Sequence, residues 1–579
     1  MNSRFAIVWA MSVALAVGMA MAQDPEVVAP REVEGEREAP RVDAPAVPDV
    51  EGDTTPLVDA LQGLRFVPAA DQVQRAGRDD VTGVEAPDLP LLQSDAFARR
   101  MARYLSQPVS ERTVNAIRRD VVLYHRQQGR PIVDVYTPEQ DITTGVVQFV
   151  VVEGQLGEVR AVGNQHTSSD RLTSAIRTEP GQPIATGSLL ADLDWINLNP
   201  FREVDAVFVP GAEPGQTDLE LRTEDRFPLR LYTGYENTGV DVTGEDRLFA
   251  GFNWGDAFSL GRDHQLNYQY TTSDDLDKFR AHALSYFVPL PWRHTLSFYG
   301  SYAESDAAVT DPFNLEGQAW QTSLRYGIPL QPTPRYRHEL TFGFDFKQSN
   351  SNLFFGGTEI FDTTTDVVQA SVGYQGSLRD AYGATTAGAT LFFSPGQLSN
   401  RNRRDRFEAA RVGADPEYAY VRLTAERATR LPADFLWLIR GEAQLASDNL
   451  LASEQLGVGG YRTVRGYPER VANGDRGFWI STEVRTPAVA PLRLAGVTRF
   501  DDQLQFLGFY DFGQVSPTDR MPGEADRARL SSTGVGLRYS VDDVLALRYD
   551  YGFRLSDRGV AVEDRTGRHH LSVVVSLNF

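Results

Sequence analysis

Cysteine is absent from all 579 residues, which excludes disulfides, thiolate metal sites and a lipid-bearing cysteine behind an export signal. After an initial apolar stretch no run of eighteen or more apolar residues follows, so no helical membrane span is expected beyond it. Histidine is sparse as well. The eight residues are scattered, and the adjacent His569 and His570 point to opposite faces of a strand, which makes them a poor metal pair. Positive charge is in the minority, with 57 Lys and Arg against 78 Asp and Glu, and the net −21 argues against nucleic acid, whose phosphates need clustered cations. The glycine pair Gly459-Gly460 belongs to a loop and forms no phosphate cradle. No catalytic residue, cofactor or metal site is expected.

What the chain does have begins with Met-Asn-Ser-Arg, an apolar run from Phe5 to Met19, and Ala20-Met21-Ala22, the pattern of a cleaved secretory signal over residues 1–22. Residues 23–55 are rich in Pro, Glu and Asp and lack aromatics, so they cannot bury enough apolar surface to offset ordering entropy and are expected to form a disordered acidic linker.

From residue 56 short mixed elements follow. A strand at Leu61–Val67, a helix near Ser94–Leu105, and a second helix from about Ser110 to Gln128 with Val114, Ile117, Val121 and Tyr124 at helical spacing precede strands at Ile132–Tyr136 and Val146–Val152. The order then repeats: a strand at Leu156–Val162, helices around Leu172 and Leu189–Ile196, and strands near Val204–Val209 and Asp218–Arg222. The boundaries read as 56–153 and 154–225.

From residue 226 to 579 the pattern is almost wholly alternating, with about sixteen strand-like segments. Leu340, Phe342, Phe344 and Phe346 share one face against Thr341, Gly343, Asp345 and Lys347 on the other; Leu545, Leu547, Tyr549, Tyr551 and Phe553 stand against Arg548, Asp550 and Arg554. Long strands with many aromatics, in an exported chain without helical spans, point to a closed sheet in lipid, where every backbone amide must be paired internally. The fold class is therefore mixed: two small α+β domains, then a 16-stranded antiparallel transmembrane β-barrel.

Two consecutive β-α-α-β-β units in an exported chain resemble POTRA domains, the periplasmic docking modules of outer-membrane insertases and two-partner secretion transporters. The stretch Tyr136–Gly145 followed by Val146–Gly154 is similar to the corresponding hairpin of the hemolysin secretion and activation branch. A long loop at about Ser447–Gly474 carries Val464-Arg465-Gly466-Tyr467, which resembles the tip of the loop that folds back into the lumen in this superfamily. Phe509-Tyr510-Asp511-Phe512-Gly513 fits the family's F-x-D-x-G pattern on the inner wall, and Gly477–Pro487 resembles the twelfth strand, with Glu483 inward. The last strand, Leu571 to Phe579, with Val575, Leu577 and Phe579 on its apolar face, looks like the C-terminal recognition strand of bacterial outer-membrane proteins.

The resemblance covers about residues 56–579. It implies that Arg465 pairs with Asp511, with Phe509, Gly513 and Glu483 as further wall partners, and that Val575, Leu577 and Phe579 act as an assembly signal. Two POTRA-like units, rather than the larger number usual in the general insertase, select the transporter branch. Implied partners are a large secreted exoprotein client, outer-membrane lipid and the barrel assembly machinery during biogenesis; the barrel would sit in the outer membrane and the POTRA units in the periplasm. An assembly factor that inserts other barrels is the rival within the superfamily, and a passive or solute-selective porin is the rival outside it. Some relatives plug the pore with an N-terminal helix, but the prolines of residues 23–55 argue against a stable helix there.

Overall fold

The computed structural model describes residues 29–31, 40, 42–43, 45–47 and 49–579, apart from 214, 241–242, 309–312, 351, 356–357, 362–363, 523 and 563–565. The expected signal at 1–22 lies outside the described residues. Two compact units result, one of residues 36–226 with 331–334, the other of residues 1–35, 227–330 and 335–579.

The first unit holds two sheets. In one, Gly63–Val67 lies between Gly83–Glu85 and Val146–Glu153, with Val133–Tyr136 at the far edge. Helix Glu111–Gln127 covers it because Ile117, Val121 and Tyr124 recur on one face and are buried against Leu64, Phe66 and Phe149. Ser110 caps that helix, its hydroxyl accepting from the Thr113 amide at 3.3 Å. The sequence does not show strand Gly83–Glu85, because three residues are too short for a period and their parallel partners lie twenty positions back.

The second sheet orders Arg202–Pro210, Gln216–Asp225 and Gln155–Val162 from one side, covered by Ser169–Ser174 and Thr186–Ile196 through Leu172, Leu189, Leu193 and Ile196. Part of the expected disordered linker joins this unit. Val42 and Asp43 pair in parallel with Ala206 and Val207, the Glu51 carbonyl accepts from Asn115 Nδ2 at 2.6 Å, and the Asp53 amide donates to Glu111 at 3.1 Å. The segment has no core of its own, as its composition requires, but it borrows a sheet edge and a helix that lie far from it in sequence.

The other unit is a closed antiparallel barrel of sixteen strands, from the first at Leu229–Glu236 to the sixteenth at Gly567–Asn578. A short hairpin, Asn352–Phe355 with Thr358–Phe361, extends the wall between the seventh strand, Tyr336–Ser349, and the eighth, Thr365–Asp380. Burial is inverted relative to a water-soluble sandwich. On the seventh strand Phe342 and Phe344 are 45% and 48% exposed, while Asp345 is 1% exposed. Apolar side chains therefore face lipid and polar ones face the lumen, which shelters the functional groups described next.

The ring closes without a gap. The sixteenth strand pairs with the first from Ser572↔Glu236 to Asn578↔Arg230. Arg230 adds side-chain bonds from Nε and Nη2 to the Ser576 hydroxyl at 3.1 and 2.9 Å, and the Asn237 amide side chain bridges to the His569 carbonyl and the Leu571 amide.

Candidate functional site: a loop bolted to the inner wall

Between the eleventh strand, Leu436–Ala446, and the twelfth, Arg476–Arg485, the chain folds back into the barrel. Its stem is a two-stranded ladder, Leu456–Val458 against Ala472–Gly474, which carries the Val464–Tyr467 tip to the wall. Val464, Arg465 and Tyr467 are all 1% exposed or less.

Arg465 makes a fork with Asp511 on the thirteenth strand, Asp502–Ser516. Nε and Nη2 donate to the two carboxylate oxygens at 2.8 and 3.0 Å, and the Arg465 backbone amide donates to the first of them at 3.0 Å. Glu483 of the twelfth strand accepts from Nη1 at 2.8 Å and Asp550 of the fifteenth strand, Leu545–Arg558, lies 3.4 Å from it. The Ser481 hydroxyl donates to Asp511 at 2.7 Å and accepts from Arg465 at 3.2 Å. The guanidinium carbon lies 3.4 Å from the centre of the Phe509 ring. A planar cation is thus bounded by carboxylates at its edges and a π-face below, an environment a lysine could not satisfy in the same way.

Residues 509, 511 and 513 share the inner face by period two, and each has a distinct task. Phe509 lies under the guanidinium, Asp511 receives it, and Gly513 leaves space: a Cβ there would stand 3.0 Å from the methyls of Val458 and Val464. Gly466 has φ +93°, open to glycine, and backs onto Gly552, whose carbonyl oxygen would lie 2.7 Å from an added Cβ. The Tyr467 hydroxyl donates toward the Ser531 and Ser556 carbonyls at 2.9 and 2.7 Å, and Arg554 Nε donates to the Gly466 carbonyl at 2.7 Å.

The structure therefore brings Arg465 together with Asp511, Phe509 and Glu483, and sets Gly513 against its neighbour Val464. Reasoning from sequence missed Ser481, Asp550, Gly552, Arg554 and His570, the last accepting from the Gly466 amide at 3.4 Å. It also missed Arg538, which reaches Asp550 at 3.0 Å and braces the acidic wall. The available signal is alternation, which puts Asp550 and Arg554 on the polar face of the fifteenth strand and Ser481 on the same face as Glu483. At the end of the chain Val575, Leu577 and Phe579 are 41%, 58% and 58% exposed, pointing away from the lumen.

A second segment also meets the inner wall. The Arg31 amide donates to the Tyr232 hydroxyl at 3.1 Å, its carbonyl accepts from Asn253 Nδ2 at 2.8 Å, and its guanidinium pairs with Glu236 and lies 4.4 Å from the Phe249 ring centre. Pro30 and Arg31 lie in neither a helix nor a strand where they meet the wall. Among the described residues, no group of three or more His, Asp or Glu side chains is placed to hold a metal ion.

The family profile described as haemolysin secretion/activation protein ShlB/FhaC/HecB matches residues 215–539, and a POTRA domain profile of the ShlB type matches residues 80–154. The chain belongs to this family. It is an outer-membrane transporter of the two-partner secretion class, with a barrel in the outer membrane and POTRA units in the periplasm. Curated relatives include the outer membrane transporter CdiB of Dickeya dadantii, 21% identical over 401 residues and covering 67% of this chain and 68% of the relative. The heme/hemopexin transporter protein HuxB of Haemophilus influenzae is 22% identical over 495 residues, covering 83% and 82%. Among solved structures, CdiB from Escherichia coli matches with TM-score 0.71 at 17% identity over 99% of this transporter and 98% of that chain.

Proposed function

We propose that this transporter takes up one large exoprotein in unfolded form through its two POTRA units, residues 56–153 and 154–225, and passes it through the lumen of the 226–579 barrel. The observation that carries this reading is the fold-back loop. Its tip is held inside the lumen by a buried fork of hydrogen bonds from Arg465 to Asp511, so release of that fork opens a hydrated path lined by polar side chains.

Capture needs only an exposed strand edge, because an extended client adds to a sheet through main-chain hydrogen bonds. Export draws on folding of the client outside, which removes it from the exchanging pool and biases movement outward. The paired seam between first and sixteenth strands favours the lumen over a lateral exit of the kind an insertase uses. Outer-membrane lipid surrounds the apolar wall, and barrel assembly machinery receives the C-terminal strand during biogenesis.

The test is Arg465→Ala in cells that express the transporter with its client. Export falls while the amount of heat-modifiable barrel in the outer membrane stays near the parental level. Parental export from that variant removes the fork from the mechanism, and broad loss of other barrel proteins on depletion would replace transport by assembly.

A further inference from the structure

The loop is fastened at a second place, far around the wall from its tip. Glu454, just before the stem, is 1% exposed. Its carboxylate accepts from Lys347 Nζ at 2.8 Å, Gln369 Nε2 at 2.9 Å and the Tyr420 hydroxyl at 2.9 Å. Those donors sit on the seventh and eighth strands and on the tenth, Glu417–Arg430, whereas Arg465 is held by the twelfth, thirteenth and fifteenth. The Glu454 carbonyl also accepts from Gln444 of the eleventh strand at 3.0 Å.

The receiving wall is itself ordered for this task. Tyr418 donates to Gln369 Oε1 at 2.9 Å, which turns the amide nitrogen of Gln369 toward Glu454 and toward Asp345, and Arg325 pairs with Asp345 at 2.7 Å. Lys347 lies near the end of its strand, while Gln369 and Tyr420 lie near the start of theirs, so the second fastening lies toward the end of the barrel where the loop is attached. Arg465 meets its partners in mid-wall.

We infer that Glu454 is a positioning residue for transport: with Lys347, Gln369 and Tyr420 it clamps the root of the lumen loop, so the path opens only when this clamp and the Arg465 fork both let go. The inference rests on the lumen route proposed above. The Ser453 hydroxyl also donates to this carboxylate at 3.0 Å but moves with the loop; to leave its site Glu454 gives up all three wall donors, so the clamp contributes a barrier of its own. Because fork and clamp lie on different strands and share no side chain, their contributions to loop retention add.

Purified full-length protein in planar bilayers tests this without the client. Glu454→Gln and Lys347→Met each raise the fraction of time spent in the large open state by about tenfold, equivalent to about 1.4 kcal/mol between clamped and free loop. The reversed pair, Glu454→Lys with Lys347→Glu, returns most of that change, which a merely structural role would not do. An unchanged open fraction in both single variants overturns the inference.

The absence of cysteine permits a second arm. Glu454→Cys with Lys347→Cys, joined by a reducible bis-maleimide, should block export and recover it on reduction; parental export from the joined protein overturns the inference. If Arg465→Ala leaves export untouched, the fork leaves the mechanism, while the bilayer arm still reads the clamp by itself.

Discussion

Asp511 does not act alone in receiving Arg465, and the consequences of substitution differ along its strand. Leaving a buried guanidinium without its forked partner costs about 3–5 kcal/mol, so Asp511→Ala should free the tip more than Glu483→Gln, which removes a negative charge but keeps an acceptor oxygen for Nη1. Hydrogen exchange over residues 459–471 measures the order; equal protection loss in both would show that the fork has no privileged role. Gly513→Val should lift Val464 from the wall, since even a Cβ meets it at 3.0 Å. Gly508→Val is the control, with only the Gly534 carbonyl oxygen, at 3.9 Å, near an added Cβ. Raised exchange at the tip in the first and none in the second is the expected pair of results. Arg465 and Asp511 were legible because each sits in a motif of its own. Asp550 and Ser481 were not, since alternation says which face a side chain takes but not which strands converge on one arginine.

At the scale of elements, helix Glu111–Gln127 carries a pH-sensitive group. Burial pulls the His125 imidazole below its ordinary value; its Nδ1–H donates to the Val121 carbonyl at 2.9 Å, and Glu153, 3.7 Å from the other nitrogen, opposes the shift without cancelling it. The sign follows. The unfolded chain takes up a proton near pH 6.5 and the folded helix does not, so stability is full above about pH 6.5 and is lost as pH falls toward the lower folded value. Protection of the Val146–Glu153 strand, corrected for intrinsic exchange, should therefore decline on going from neutral to mildly acid buffer, and His125→Leu should abolish that decline. Persistence of the decline in the variant would assign it to another group. This helix was readable from the spacing of Ile117, Val121 and Tyr124, because amphipathic period is a local property. Strand Val42–Asp43 was not, since its pairing with Ala206 and Val207 depends on an edge that the local sequence does not contain.

Across the whole molecule, sixteen strands could be counted from alternation because lipid enforces one apolar face along every strand, whereas the long-range closure of that sheet had to be seen. The outward row Val575, Leu577 and Phe579 ends the last strand, and deleting Phe579 removes its terminal lipid-facing anchor. The folded, heat-modifiable fraction in the membrane should fall while total synthesis is unchanged; an unaltered fraction would show the terminal ring to be dispensable. The continuous seam reaches further still, to the cargo. A chain moving through a ring paired all round never touches hydrocarbon, so a long greasy stretch in it would have nowhere to partition and would stall against wet walls. Such a conduit is a filter on the composition of what it carries: its passengers must be able to remain dissolved in water along their whole length until they fold.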